Sequence, residues 1–300
     1  MKHILHTLFL KDAIDRIATK YKKNMEFSFD KYFIYANIFQ MPLYYKLFSL
    51  KKDADYGLYS KIENQKHFEV IEFLIKRVCE EKYQPNQLLL LYSYICDIIL
   101  NKYVDEYVMD NTKFKRFSTK KMKMNKYSKT VKYIEAQYYK ERFYKPIKKH
   151  NINPKEIIID EECFDIIEKL SAEVYYFSYG IDIFKIGYKN FIKYQTKNYK
   201  GFRLLHKFFA RILDNLTRSK KYSAASIYNV STPMKKDYLN KENKLWINTK
   251  KDCYKSFFEV YEDALEMATK LITFVSEEIF YKIKKTNEIN HILSIIKNKE

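Results

Sequence analysis

Glycine and proline are scarce in this sequence, with 4 glycines and 5 prolines among 300 residues. Tight turns and β-hairpins depend on these residue types, so their scarcity argues against a β-rich or α/β protein with many short connections. Hydrophobic residues make up 47% of the chain, which is enough for a sizeable core. Long apolar stretches with few breakers therefore predict an all-α fold. We find no internal repeat and no clean boundary, and expect a single compact multi-helix domain over residues 1–300.

Cysteine and long apolar runs are also in short supply. The cysteines are far apart and form no CxxC pair, which excludes a disulfide framework and indicates reduced thiols; they are Cys79, Cys96, Cys163 and Cys253. No run reaches the roughly 20 apolar residues that a membrane-spanning helix needs. The N-terminal residues lack the long apolar core of a signal peptide. We therefore expect a cytoplasmic protein without a transmembrane segment.

Several motifs that would name a function are missing. The sequence contains no Gly-x-Ser-x-Gly element, no phosphate-binding glycine loop, and nothing that resembles a zinc finger, an RRM or a basic zipper. What it does have is a formal net charge of +19. Such a charge favours contact with polyanions, so nucleic acid, an anionic lipid surface or a phosphodiester ligand are the partners considered. The lysines are spread along the chain, and the densest basic run, Lys113 to Lys132, is typical of a solvated loop. We predict Asp110 to Lys129 to be an exposed connection.

The stretch from Leu88 to Tyr107 reads as one long, mostly apolar helix. Polar side chains enter it at Asp97, Asn101 and Asp105, a spacing of four that places them on one helical face. A carboxylate buried among apolar side chains is costly unless it is paired, hydrogen-bonded or bound to a metal. One interpretation is a polar seam that meets solvent or basic residues. The other is a face derived from a metal-binding helix.

Periodic apolar residues predict further helices on both sides of this central one. The predicted helices are His3–Thr19, Ile62–Glu81, Tyr127–Phe143, Asp160–Phe177, Ile181–Tyr194, Phe202–Leu216, Cys253–Ile279 and Phe280–Lys297. The longest segment without periodicity is Thr217 to Asp252, which holds the only tryptophan, Trp246. A loop of this length inside a compact domain is often functional.

Two ordered sets of residues carry a resemblance. On the central helix, the matching residues are Cys96, Leu100 and Tyr107, which stand around the polar positions in the sequence. Near the C-terminus, Leu239-Asn240 is followed by Trp246, by Ser256-Phe257 and by Val260-Tyr261-Glu262-Asp263-Ala264. These patterns resemble the bacterial zinc-dependent phospholipase C-like family, also described as the phospholipase C/D domain. The resemblance implies the all-helical fold of zinc-dependent phospholipase C and P1 nuclease.

The resemblance also implies a set of metal-ligand positions. They are His6, Asp97, Asn101, Asp105 and Glu135, with Asn64 or His67 at the place of a further histidine and Trp246 in the long loop. The resemblance implies an enzyme that holds up to three zinc ions, which activate a water for attack on a phosphodiester. Zinc favours imidazole and thiolate ligands, and here Asp97 and Asp105 stand in place of histidines. Leu43 and Val131, which cannot ligate a metal, stand in place of an aspartate and a histidine.

Three interpretations follow. The chain is a divergent homologue with a degenerate metal site and a binding or scaffold role, which is the interpretation we favour and which needs no cofactor. Alternatively, the oxygen ligands form a remodelled site for a divalent cation (Mg, Mn or Ca rather than Zn) that still hydrolyses phosphodiesters or phospholipids. The third alternative is a basic protein that binds nucleic acid or an anionic membrane through charge. No catalytic residue is assigned.

Overall fold

A computed structural model describes residues 3–22, 25–40, 66–80, 83–112, 120–144, 161–175, 185–190, 237–247 and 252–297. These residues are mostly helical, which confirms the predicted helical class. The helices are α1 (His3–Arg16), α2 (Thr19–Lys22), α3 (Phe29–Tyr35), α4 (His67–Glu80), α5 (Pro85–Thr112), α6 (Lys120–Phe143), α7 (Glu161–Tyr175), α8 (Phe257–Tyr281) and α9 (Thr286–Lys297). Residues 185–190 are also helical. None of the helices in these ranges combines the length and the apolar character needed to cross a membrane.

A short hairpin interrupts the helical pattern before α8. Strand β1 (Trp246–Ile247) pairs antiparallel with β2 (Asp252–Cys253), and Trp246 stands opposite Cys253 in the register. The hairpin falls in the predicted long loop, of which residues 217–236 and 248–251 lie outside the described ranges. The predicted helix Phe202–Leu216 lies outside them as well.

The chain divides into two compact units. The first comprises residues 1–5, 101–152 and 194–263, and the second comprises residues 6–100, 153–193 and 264–300. Each unit is therefore assembled from three separate stretches of sequence. The expectation of one domain over residues 1–300 stays a prediction.

The second unit is built around the first half of the central helix, α5. Pro85 occupies its first helical position, where the missing N–H costs nothing because that group has no partner inside a helix. The four leucines Leu88–Leu91 are completely buried. One turn on, the Tyr92 hydroxyl lies 2.8 Å from Ser276 Oγ of α8. The helix is thus fixed by apolar burial and by a buried hydroxyl pair.

Helices α4 and α7 of the same unit are joined along their exposed sides. The Arg77 guanidinium donates to Glu173 at 2.7 Å, and Lys66 Nζ donates to the Val174 carbonyl at 2.8 Å. The second bond satisfies a carbonyl in the last turn of α7, which has no partner inside the helix.

The first unit has an aromatic core. The Tyr138 ring of α6 packs against Phe257 and Tyr261 of α8, with ring centroids 5.5 and 4.8 Å apart. The Tyr107 ring meets Phe257 edge to face at 5.3 Å, and its hydroxyl donates to the Tyr238 carbonyl at 2.9 Å. Aromatic pairs in such geometries add to the free energy of burial itself. The last turns of α5 are thereby fixed against the start of α8.

The connection expected over Asp110 to Lys129 is wrong at both of its ends. Helix α5 continues to Thr112 and α6 already begins at Lys120, whereas residues 113–119 lie outside the described residues. Lysine and methionine are good helix formers, so this basic segment favours a helix without any apolar stripe. The connection was predicted only from the high charge and the low apolar periodicity of this segment.

The predicted bounds around α8 and α9 also need correction. The helix expected over Cys253–Ile279 begins at Phe257, because Cys253 belongs to β2 and Ser256 caps the helix. The helix expected from Phe280 begins at Thr286, because α8 runs on to Tyr281. The chain turns between them at Lys282, whose φ is 57°.

Candidate functional site

The polar face of α5 begins with a buried pair between two helices. His6 of α1 and Asp97 of α5 lie with Nδ1 2.9 Å from Oδ1, and both side chains are almost fully buried. A carboxylate has no proton to give, so the imidazole Nδ1–H is the donor. This charge-assisted hydrogen bond supplies the partner that a buried Asp97 requires. Both positions belong to the ligand set that the resemblance implies, and the structure brings these two residues together.

The other imidazole nitrogen of His6 faces the interior. His6 is 3% exposed, and its Nε2 atom has no hydrogen-bond partner among the described residues. In the neutral tautomer that donates from Nδ1 to Asp97, Nε2 carries a lone pair.

His67 lies at the start of α4 and contacts the central helix. Its Nδ1 atom is 3.0 Å from the Tyr94 hydroxyl, and Tyr94 lies one turn before Asp97. Burial lowers the pKa of His67 below its ordinary value of 6.5, opposed by the negative charges of Asp97 and Glu69 and assisted by Lys297. A lowered pKa keeps His67 neutral at neutral pH.

Tyr94 was missed in the sequence analysis. A signal was present, because a residue three positions before Asp97 shares its helical face. The neighbouring thiol, Cys96, is buried as well. Burial raises the pKa of Cys96, and the charges of Asp97 and Asp12 add to the increase, so this thiol is not a nucleophile at neutral pH.

Glu135, in α6 of the first unit, caps the N-terminus of α1. Its Oε1 atom accepts the backbone N–H groups of Ile4 at 2.5 Å and Leu5 at 3.0 Å. These N–H groups belong to the first turn of α1, where no carbonyl of the helix can reach them. Glu135 is 1% exposed, so its charge is stabilised by these two donors and by the positive end of the helix dipole.

The remaining members of the predicted set are placed differently. Asp105 is half-buried and accepts a hydrogen bond from the Tyr127 hydroxyl. Asn101 is half-buried as well. Trp246 opens strand β1, where its backbone pairs with Cys253. Asn64 lies outside the described residues, as does Leu43. Val131, at the place of an expected histidine, is completely buried.

These contacts test whether the predicted ligands suit a metal ion. The atoms His6 Nδ1, Glu135 Oε1 and Asp105 Oδ1 are each directed at a hydrogen-bond partner of the protein. Within the described ranges, no three His, Cys, Asp or Glu side chains are grouped closely enough to hold a metal. Each of these three atoms is therefore engaged by a partner inside the protein, and metal binding by the predicted set stays a prediction.

No protein-family model, no curated protein and no solved structure matches this chain. The resemblance to zinc-dependent phospholipase C thus stays a hypothesis carried by the residues quoted above.

Proposed function

We propose that this chain is a non-catalytic binding or scaffold protein, in which the positions that resemble the ligands of zinc-dependent phospholipase C stabilise the helices. Glu135 carries the proposal. Its Oε1 atom accepts two backbone N–H groups in the first turn of α1, so this oxygen is engaged by the protein itself. This arrangement is that of a buried helix cap.

Two further contacts support the same role. Asp97 replaces a histidine of the resembling pattern and is hydrogen-bonded to His6 at 2.9 Å. Asp105 stands in place of another histidine and accepts a hydrogen bond from the Tyr127 hydroxyl. In each case the aspartate accepts a hydrogen bond from a side chain of the protein. A carboxylate also holds zinc less well than an imidazole does. The remodelled hydrolase is the competing candidate.

The test combines metal content with turnover. Protein purified without added metal is subjected to elemental analysis, and hydrolysis of bis(p-nitrophenyl) phosphate is followed with Mn²⁺ or Mg²⁺. We expect no bound zinc and no metal-dependent turnover. Asp97→Ala and the control Asp165→Ala, which changes an exposed aspartate of α7, are assayed beside the unmodified chain.

Two results would contradict the proposal. Two or three zinc ions per chain would show that the ligand set is functional. Turnover that needs Mn²⁺ or Mg²⁺, disappears in Asp97→Ala and persists in Asp165→Ala would establish the remodelled hydrolase.

A further inference from the structure

The turn between α8 and α9 exposes apolar and basic side chains in alternation. Tyr281 and Ile283 are each 48% exposed, and the residues next to them, Lys282 and Lys284, are exposed as well. Lys20 of α2 joins the group, because its ammonium lies 4.9 Å from the centre of the Tyr281 ring. We call these five residues, which all belong to the second unit, the basic turn patch.

The backbone of the patch is held in a defined shape. Lys282 adopts the left-handed region with φ 57°, which ends α8, and the Ile283 N–H then donates to the Glu277 carbonyl at 3.4 Å. On the other side, Lys285 reaches Glu277 and Glu288 with N···O distances of 3.6 and 3.3 Å. The exposed residues thus project from a fixed turn.

A layer of aromatic rings supports the patch from below. The rings of Tyr21 and Phe280 are stacked with centroids 6.2 Å apart, and the Tyr83 ring lies 5.6 Å from Phe280. Lys20 lies 4.7 Å from the centre of the Tyr21 ring, and Lys282 lies 5.8 Å from that of Tyr83. The lysine stems therefore lie along an apolar surface while their charges face water.

Within the described ranges, the three lysines of the patch form no ion pair. No carboxylate oxygen of these residues lies within 4.0 Å of the ammonium groups of Lys20, Lys282 or Lys284, although the charge of Glu277 acts on Lys20 from farther away. The nearby Lys285 differs, because it is paired with Glu277 and Glu288. Among the described residues, three cations without an ion pair thus surround two exposed apolar side chains.

We propose that the basic turn patch docks on an anionic phospholipid bilayer. Lysines next to such a bilayer are attracted by its negative surface potential, and tyrosine and aliphatic side chains enter the boundary between headgroups and acyl chains. The net charge of +19 draws the chain toward such a surface from a distance. The docking is peripheral and does not depend on a metal site.

Nucleic acid fits the patch less well. Base stacking needs an open aromatic face, whereas Lys20 covers the rings of Tyr21 and Tyr281. Ile283 is aliphatic and half exposed, so it offers nothing to a base but suits the acyl boundary of a bilayer.

The test measures co-sedimentation of the full chain with two kinds of vesicle, phosphatidylcholine alone and equal parts of phosphatidylcholine and phosphatidylserine. We expect binding to the second kind only, weakening as salt is added. The double variant Lys282→Gln/Lys284→Gln should bind roughly 25-fold more weakly, at about fivefold per lysine. Ile283→Ser should weaken binding without any change of charge.

Matched controls separate the patch from net charge and from misfolding. Lys140→Gln/Lys189→Gln removes the same charge from exposed positions elsewhere, and should bind like the unmodified chain. Lys282→Gly keeps the left-handed turn, which glycine adopts without strain, and should remain folded by circular dichroism while binding less.

Three outcomes would overturn the inference. Absence of binding to phosphatidylserine vesicles is the first. If Lys140→Gln/Lys189→Gln weakens vesicle binding as much as Lys282→Gln/Lys284→Gln does, only the net charge matters. The third is an Ile283→Ser variant that binds vesicles normally while the lysine double variant loses affinity for single-stranded DNA, which would assign the patch to nucleic acid.

Discussion

At the scale of single residues, the acidic side chains of the buried regions are matched to donors one by one. Asp97 has the imidazole of His6, and Glu135 has two amides of α1. A buried carboxylate without such donors would be neutralised or would destabilise the fold. Asp97 and Glu135 thus each have a partner inside the protein that offsets the cost of burying a carboxylate.

Glu135 gives the sharpest test at this scale. Glu135→Gln keeps the shape of the side chain but removes its charge, so the cap of α1 becomes a neutral hydrogen bond. We expect the free energy of unfolding to fall by about 2 kcal/mol, the magnitude lost when a buried charged acceptor is weakened. Urea unfolding, monitored by circular dichroism, measures this change in the free energy of unfolding.

Glu141→Gln is the matched control in the same helix. Glu141 is exposed and pairs with Lys241 at 3.0 Å, so its substitution should change stability by less than about 0.5 kcal/mol. Equal effects of the two substitutions would mean that Glu135 does not cap α1.

At the scale of elements, the start of α8 is fixed by a capping box. Ser256 Oγ accepts the Glu259 N–H at 3.3 Å, and Glu259 Oε2 accepts the Ser256 N–H at 2.7 Å. This reciprocal pair satisfies two donors that a helix start leaves open. The serine of the Ser-Phe pair that contributed to the family resemblance thus has a local reason to occur here, whereas Phe257 packs against Tyr107 and Tyr138.

Ser256→Ala should lower the free energy of unfolding by about 1 kcal/mol at neutral pH, because the cap acceptor is lost. Ser294→Ala, near the exposed end of α9, is the control and should have little effect. Both are measured by urea unfolding. An equal loss in the two variants would refute the capping role.

The same box makes the stability depend on pH. The backbone and hydroxyl hydrogen bonds from Ser256 lower the pKa of Glu259 below its ordinary 4.5. The stabilisation is therefore complete above that value and is lost as the pH falls through the lower pKa of the folded state. Glu259→Gln should be less stable than the unmodified chain at pH 7, and the difference should shrink in acid. A difference independent of pH would contradict this.

The helices themselves were largely predictable from sequence. Apolar spacing located α4, α5 and α7 to within a few residues, because each buries one face or most of its surface. The basic start of α6 was not predictable in this way, because the sequence from Lys120 to Lys129 has no apolar stripe. The turn at Lys282 was missed because a lysine in the left-handed region is uncommon.

The candidate site was predictable only in part. Spacing by four placed Asp97, Asn101 and Asp105 on one face, which follows from the helix geometry alone. The partners of Asp97 and Glu135 come from α1, far away in sequence, and no local pattern identifies them. Only the family resemblance indicated that His6 and Asp97 would lie together.

At the scale of the whole molecule, the positive charge is unevenly compensated. Several helices carry lysines paired four residues away with a carboxylate, such as Lys102 with Glu106 at 2.7 Å and Lys169 with Asp165 at 2.6 Å. Such pairs contribute little to stability but do neutralise the surface locally. The basic turn patch differs from them, which is why a specific docking surface is expected there.

The whole chain should also be indifferent to divalent metal. Any ion that binds the folded state alone stabilises it, by about 2.7 kcal/mol when the free ion is at a hundred times its dissociation constant. Since the predicted ligand atoms face protein donors, we expect the same urea midpoint in EDTA, Zn²⁺ and Mn²⁺. His6→Gln is the informative companion, because His6 Nε2 is buried and has no hydrogen-bond partner among the described residues. A midpoint raised by Zn²⁺ in the unmodified chain but not in His6→Gln would show that this nitrogen binds an ion, and would end the scaffold interpretation.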